Sequence, residues 1–334
     1  MQELTFSDVL IEPQYSEIQS RKDVSLTTNL SPTIQFNLPI VGANMKDITE
    51  SKMAIELHKN GAFGILHRFM TIERNVKEYL IAKDKAPNTA VSVGIKDEEK
   101  ERFLELYKNS ARIFVVDIAH GNSLNMKQMI SYIKEHDEKV VVIAGNIANG
   151  SAAMNLYTWG ADILKIGIGP SPVCETRRNT GVGVPQLYAL QDIDNIMKQH
   201  KFFLPRIADG GIRCVGDICK ALKYSEMVMI GSMLSGYSET PGKFYQRWND
   251  NLQEMEWYSL YGGSASGENK GSDSFSEGRI KTVPLRGKVK YQLRKIEDGI
   301  RSAFSYVGAR NLKEYQEYAE LKEISVGAMR ESKF

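Results

Sequence analysis

Between about residues 38 and 234, short runs of apolar, often β-branched residues recur roughly every 25 residues, each followed by a polar segment of helical character. Within a run the apolar residues stand side by side instead of alternating with polar ones. That is the pattern of strands buried on both faces, as in a parallel sheet covered by helices. Eight runs are present, at residues 38–44, 63–68, 90–95, 113–119, 140–146, 163–168, 206–211 and 227–232. Eight repeated βα units predict an α/β fold of the closed (β/α)8 TIM-barrel type, with an open doubly wound sheet as the alternative. Most of the runs end in Gly, Asn, Asp or His. The C-terminal strand ends of a barrel carry its chemistry, so these endings locate the expected site.

The texture changes after the eighth run. Residues 258–282 contain Gly262-Gly263-Ser264-Ala265-Ser266-Gly267 and a second Gly/Ser-rich stretch at residues 270–278, with little apolar content, and predict a flexible flap. Beyond it, residues 291–299 are patterned as a helix and residues 326–334 as a loose tail. A single catalytic domain over residues 1–334 is expected.

The 334 residues include 43 Lys and Arg against 41 Asp and Glu, a net charge of +2, and 42% are hydrophobic. So even a balance offers no basic stripe to a phosphodiester backbone, and no nucleic-acid partner is expected. No run reaches the ~18 apolar residues of a membrane span, and no basic segment leads into an apolar one at the N-terminus. A cytoplasmic protein without membrane association is the expectation. Cys174, Cys214 and Cys219 cannot all pair, which fits a reducing compartment. No His/Cys grouping has the spacing of a zinc site. His67 and His120 end strand runs and read as hydrogen-bonded supports, not as bases.

Three segments carry the candidate chemistry. Residues 165–183 form a Gly/Pro-rich loop with Cys174 near its centre, beside Glu175, Thr176 and Arg177. Nearby cations and loop amides lower a thiol pKa from about 8.5 and raise its reactivity, which makes Cys174 the candidate nucleophile. Cys214 and Cys219 read as packing residues. Asp209-Gly210-Gly211 after the seventh run and Gly231-Ser232 after the eighth stand where barrels commonly bind phosphate through exposed amides. Asp209 beside them is an acceptor suited to ribose hydroxyls.

These pieces together resemble the IMP dehydrogenase/GMP reductase family. The resemblance rests on Gly167-Ile168-Gly169-Pro170-Ser171-Pro172-Val173-Cys174 with Thr176-Arg177, on Ala208-Asp209-Gly210-Gly211-Ile212-Arg213 and on Met229-Ile230-Gly231-Ser232-Met233. It extends from residues 4–13 through residues 38–45, 117–121 and 299–309. The resemblance implies that Cys174 attacks C2 of a purine nucleotide to give a covalent intermediate. One branch of the family then oxidises IMP with NAD; the other releases ammonia from GMP and reduces the adduct to IMP with NADPH.

Several features resemble the reductive branch. The regulatory CBS pair of most dehydrogenases is absent between Arg68 and Ala90, and no Arg-Tyr pair occurs between Trp257 and Thr282. Tyr261-Gly262-Gly263-Ser264, Ser276-Glu277-Gly278 and residues 180–186 are similar to the reductase pattern. Thr176 and Glu277 match the relay that protonates departing ammonia, which leaves poorly unless protonated. A dehydrogenase without the CBS pair and a nonenzymatic purine-nucleotide binder are the alternatives.

By the same resemblance Asp209, Gly210, Gly211, Gly231 and Ser232 hold ribose and phosphate, while Gly262, Gly263, Ser264, Ser276 and Gly278 close over the purine. Ser20, Arg21, Arg68, Asp117, Ile118, Ala119, Gly299, Ile300, Arg301 and Ser302 are the expected NADPH contacts. Gly167, Gly169, Cys174 and Arg177 are those of a potassium ion, and a homotetramer is implied. Three departures stand out: Ser171-Pro172 replaces the usual Gly-Ser, Glu175 a small residue, and Asp273-Ser274 a Tyr-Arg pair. A carboxylate at Glu175 opposes thiolate formation unless it turns away or pairs with Arg177 or Arg178.

Overall fold

A computed structural model describes residues 2–171, 175–242, 244–249, 253–262 and 280–331. Before the barrel come β1 (Val9–Glu12), β2 (Thr28–Ser31) and β3 (Ile34–Phe36). The barrel strands are β4 (Ile40–Gly42), β5 (Phe63–Leu66), β6 (Ala90–Val93), β7 (Ile113–Asp117), β8 (Val141–Ile147), β9 (Ile163–Ile166), β10 (Arg206–Asp209) and β11 (Met227–Ile230). Seven fall within the predicted runs, and β8 extends past its run of 140–146 by one residue, Ile147. They close in the order β10-β11-β4-β5-β6-β7-β8-β9, every neighbour parallel, so the molecule is a (β/α)8 barrel and the open-sheet alternative is excluded.

The helices between the strands are α1 (Ser51–Lys59), α2 (Ile72–Lys83), α3 (Asp97–Lys108), α4 (Leu124–His136), α5 (Gly150–Thr158), α6 (Thr176–Thr180), α7 (Gln186–Gln199) and α8 (Val215–Leu222). Their starts are written in the sequence. Thr71, Ser123 and Asn149 accept the backbone N–H of Arg74, Met126 and Ala152, satisfying donors that a helix leaves unpaired at its first turn. Each of these helices except α6 buries residues against the rest of the fold, and strands such as Phe63–Leu66 and Met227–Ile230 are buried at every position. Helix α1 and strand β5 approach closely at Gly64, where a Cβ would stand 2.6 Å from that of Ala54.

The N-terminal end of the barrel is plugged by the β2–β3 hairpin, whose Phe36 ring stacks on Phe63 with centroids 4.6 Å apart. Thr28 donates to the Glu226 carbonyl at the same end. Here also lies a buried ion cluster: Arg206 reaches Asp194 at 2.5 Å and Glu226 at 3.0 Å. Burial alone pushes the Arg206 guanidinium toward neutrality, but the two carboxylates outweigh it and its pKa is raised.

Three parts differ from the sequence expectation. Residues at both ends of the expected 258–282 flap belong to an antiparallel sheet of β12 (Phe244–Asn249), β13 (Glu254–Gly262) and β14 (Ile280–Pro284). The alternation of buried Ser259 and Tyr261 with more exposed Tyr258 and Leu260 is the strand signal there; the Gly/Ser run that follows masked it. The helix expected at residues 291–299 is α9 (Val289–Val307). Its apolar stripe of Val289, Leu293, Ile296, Ile300, Phe304 and Val307 continues at three- and four-residue steps until Gly308, at φ 78°, ends it.

After α10 (Leu312–Tyr318), β15 (Glu320–Glu323) pairs antiparallel with β1, joining the two ends of the chain. The expected loose tail contains a short helix, α11 (Val326–Glu331). Ser325 caps it by accepting from Ala328 N–H at 3.2 Å. Among the described residues no helix is long and apolar enough to cross a membrane.

Candidate active site

The C-terminal end of the barrel is crossed by a polar layer. The tips of β7, β8, β9 and β10 contribute Asp117, Asn146, Lys165 and Asp209. Lys165, almost wholly buried, places its Nζ 2.8 Å from Asp117 Oδ1 and 2.9 Å from Asp209 Oδ2, and donates a third bond to Asn146 Oδ1. Asn146 Nδ2 in turn donates to Asp209 Oδ2 at 2.8 Å and to the Gly167 carbonyl at 2.7 Å. Asn44, just past β4, donates to Ser92 at 2.9 Å and supports Asp117.

Electrostatics favour the charged forms of Asp117 and Lys165. Burial raises the Asp117 carboxyl, but Lys165, Arg68 and Asn44 together draw it below the usual range. Burial lowers the Lys165 ammonium, and Asp117 with Asp209 more than restores it, so its pKa is raised. Sequence reasoning missed Lys165 as a site residue because it sits inside an apolar run. The charge at that position was the available signal, since an unpaired lysine is almost never fully buried.

Next to this layer lie the two glycine loops. Gly210 and Gly211 have φ of 92° and 77°, a backbone that L side chains rarely adopt, and they face Pro170 of the cysteine loop. Gly167, at φ 147°, leaves no room for a side chain: a Cβ there would stand 1.9 Å from the Asp209 carbonyl. On the neighbouring loop a Cβ at Gly231 would meet Tyr261 Oη at 3.0 Å and Met45 Sδ at 3.2 Å. Ser232 follows at the start of a 3-10 turn, Ser232–Leu234.

Tyr261 was not singled out by the sequence, although it opens the flap motif. Its ring is buried, its hydroxyl is hydrogen-bonded to Ser171, and burial raises its pKa. It therefore ties the end of β13 to both the Gly231 loop and the cysteine loop. Gly262 N–H donates to Asp47 Oδ2 at 2.9 Å, a second tie. Replacing Gly231 by alanine is expected to displace Tyr261 or Met45 and weaken binding of the mononucleotide expected at this loop about 10- to 100-fold. Calorimetric titration measures this; affinity equal to wild type removes the loop from the site.

The cysteine loop is described at its two ends. Cys174 lies outside the described residues, as do Gly263, Ser264, Ser276, Glu277 and Gly278. Thr176 is the first residue of α6 and Glu175 its N-cap. Glu175 stands 3.6 Å from Arg178, the pairing that offsets an acid beside the thiol. Arg178 is largely exposed, so water weakens that compensation. The Arg177 side chain lies against Gly169 and Gly183 and donates to the Val184 carbonyl.

Two of the expected potassium ligands have carbonyls engaged within the chain. The Gly167 carbonyl accepts from Asn146, and the Arg177 carbonyl from Gly181 N–H at 3.0 Å. Among the described residues no group of three or more His, Cys, Asp or Glu is placed to hold a metal ion.

The expected cofactor residues fall into two groups. Asp117, Ile118 and Ala119 follow the tip of β7, where Ile118 N–H bonds the Gly145 carbonyl at 3.0 Å, and Arg68 lies close enough to lower the Asp117 pKa. Arg68 has a buried Nε without a hydrogen-bond partner among the described residues, and its Nη1 stands 3.8 Å from Glu99. An orphaned guanidinium donor at the barrel mouth fits an anionic group of a dinucleotide.

The second group lies on α9 and an adjoining turn. Ser20 caps the turn Arg21–Asp23, and Arg301 of α9 donates to the Val24 carbonyl beyond it while pairing with Glu297 at 2.9 Å. Two positions here pack inside the chain: the Ile300 side chain is fully buried in the core, and Gly299 leaves space for Val215, 2.6 Å from where a Cβ would be. Both are packing positions within this chain. Ser302 accepts at its carbonyl from Ser305 at 2.7 Å.

The fold is a closed parallel (β/α)8 barrel with two glycine loops and a carboxylate at its C-terminal end. The chain belongs to the IMP dehydrogenase / GMP reductase family, whose domain model matches residues 3–334. It is 36% identical over 317 residues to a GMP reductase of Lactobacillus acidophilus, covering 93% of this chain and 92% of the relative. A GMP reductase of Paracidovorax citrulli is 35% identical over 317 residues, with 93% of both chains covered. One of Lacticaseibacillus casei is 36% identical over the same length, 93% of this chain and 92% of the relative.

Proposed function

We propose that this protein catalyses the NADPH-dependent reductive deamination of GMP to IMP and ammonia. The chain is an oxidoreductase of the reductive branch of its family. The observation that carries the reading is the alignment of Asp209, Gly210 and Gly211 with Gly231 and Ser232 around one end of a barrel, beside the loop that bears Cys174. Amides and a carboxylate so placed suit the phosphate and ribose of a mononucleotide.

In this reading the Cys174 thiolate adds to C2 of the guanine base, and the displaced electron pair is taken up at the ring nitrogen with a proton. Thr176 and Glu277 deliver a proton to the amino group, which leaves as ammonia while the ring C=N re-forms as a thioimidate on Cys174. NADPH, when bound, supplies the hydride that C2 requires. The C2–Sγ bond then breaks and Cys174 departs as thiolate, leaving IMP. Arg68 and Asp117 hold the dinucleotide at the mouth, and no step is routed through potassium.

The Tyr261 hydroxyl closes the phosphate site from the flap side. Assembly into a homotetramer accords with the exposed Trp248, Met255 and Trp257, which share one face of the β12–β13 ribbon. The test is stoichiometric: IMP, ammonia and oxidised dinucleotide appear in equal amounts from GMP and NADPH. Thr176→Ala or Glu277→Gln slows ammonia release about 10²- to 10⁴-fold. Reduced dinucleotide formed from IMP, with no ammonia from GMP, defeats the reading in favour of a dehydrogenase.

A further inference from the structure

Lys165 has no place in the chemistry just described. Its three N–H donors are spent, on Asp117 Oδ1, Asp209 Oδ2 and Asn146 Oδ1. It is almost wholly buried and has no donor left for a ligand. A fully committed cation between two carboxylates acts through them.

The geometry at Asp209 shows what it does there. Both bonds to the carboxylate converge on one oxygen: Lys165 reaches Oδ2 at 2.9 Å and Asn146 reaches the same atom at 2.8 Å. Oδ1 accepts no hydrogen bond among the described residues, and the Asp209 side chain remains 24% exposed. Pinning one oxygen fixes the rotation of the carboxylate and presents the other to the barrel mouth. Asn146 is held in turn by the Gly167 carbonyl, so the arrangement is built from three strands and does not depend on the ligand.

Resting on the assignment of Asp209 to the ribose, we infer that Lys165 is the positioning residue for ribose recognition, acting by fixing Asp209 through its Oδ2 so that Oδ1 accepts from the ribose hydroxyls. The same ammonium fixes Asp117 at the dinucleotide side, so a single buried cation sets the carboxylates of both subsites. Removing it frees Asp209 to turn and leaves two carboxylates beside each other without their counter-ion.

Equilibrium titration of GMP and 2′,3′-dideoxy-GMP into wild type, Lys165→Met and Lys165→Arg tests this, since the analogue lacks only the hydroxyls. Wild type is expected to favour GMP by about 10- to 100-fold, the value of hydrogen bonds to a charged acceptor. Lys165→Met brings the ratio to within about threefold of unity, chiefly through weaker GMP binding, while Lys165→Arg keeps most of it. In an Asp209→Asn background, Lys165→Met then changes GMP affinity less than about twofold, because the carboxylate it acts through is gone.

A lysine that only supports the fold weakens both nucleotides equally and leaves the ratio at its wild-type value; that result overturns the inference with the proposed function intact. Wild type that binds neither GMP nor IMP overturns the functional reading itself, and the inference with it. If Lys165→Met does not fold, Lys165→Gln, which keeps a donor without the charge, takes its place with the same expected loss of the ratio.

Discussion

Replacing Cys174 by alanine is expected to lower GMP turnover at least about 10⁴-fold while leaving GMP affinity within a few-fold of wild type. The contrast follows from where the two functions reside. In the proposed reading binding rests on the glycine loops, Asp209 and Tyr261, with Asp209 held by Asn146, Gly262 by Asp47, and Gly231 close to the Tyr261 hydroxyl. In the proposed mechanism bond making at C2 rests on Cys174; Cys219 is buried in α8 with its pKa pushed up to about 12 by desolvation. Steady-state rates and calorimetric titration on the same preparation separate the two. Turnover within tenfold of wild type would exclude a covalent mechanism through Cys174.

The second large effect is on stability. Arg206→Met is expected to cost about 3–5 kcal/mol, because it leaves Asp194 and Glu226 buried without their shared guanidinium. Glu226 accepts from the Arg206 backbone at 2.6 Å as well as from its side chain, so the carboxylate cannot swing out to water without breaking a strand contact. Lys198, 2.6 Å from Asp194, is mostly exposed and compensates little. Calorimetry should show the melting temperature falling on the order of 5–10 °C. A second substitution, Glu226→Gln, should return part of the loss, since it removes the stranded charge. A single variant as stable as wild type would mean that the cluster opens to solvent at no cost. The cluster sits at the N-terminal end of the barrel, where residues serve the fold, so catalysis per folded molecule should not change.

Every barrel strand was legible because a strand buried on both faces, such as Ala90–Val93, must be apolar at successive positions. The strand tips were legible for a related reason: a polar residue closing an apolar run has few explanations, and Asp209 and Asp117 fill the positions that the pattern gave them. The β1–β15 pair was not legible, since its partners stand at opposite ends of the chain and each alone is a short, half-exposed segment. Lys165 escaped notice because a run of buried residues hides a charge whose two partners come from other strands. Tyr261 escaped for the converse reason: its neighbours Met45, Ser171 and Gly231 are brought together only by barrel closure.

The central claim is that the purine nucleotide at this barrel mouth is reduced and deaminated. Absorbance at the nicotinamide band tests it most directly, with GMP plus NADPH run beside IMP plus NAD, each with and without potassium. A fall in signal with GMP, and none of the matching rise with IMP, is the result expected from Cys174, Thr176 and Glu277 acting as proposed. A rise with IMP and no change with GMP would contradict the account and place the protein in the oxidising branch of its family.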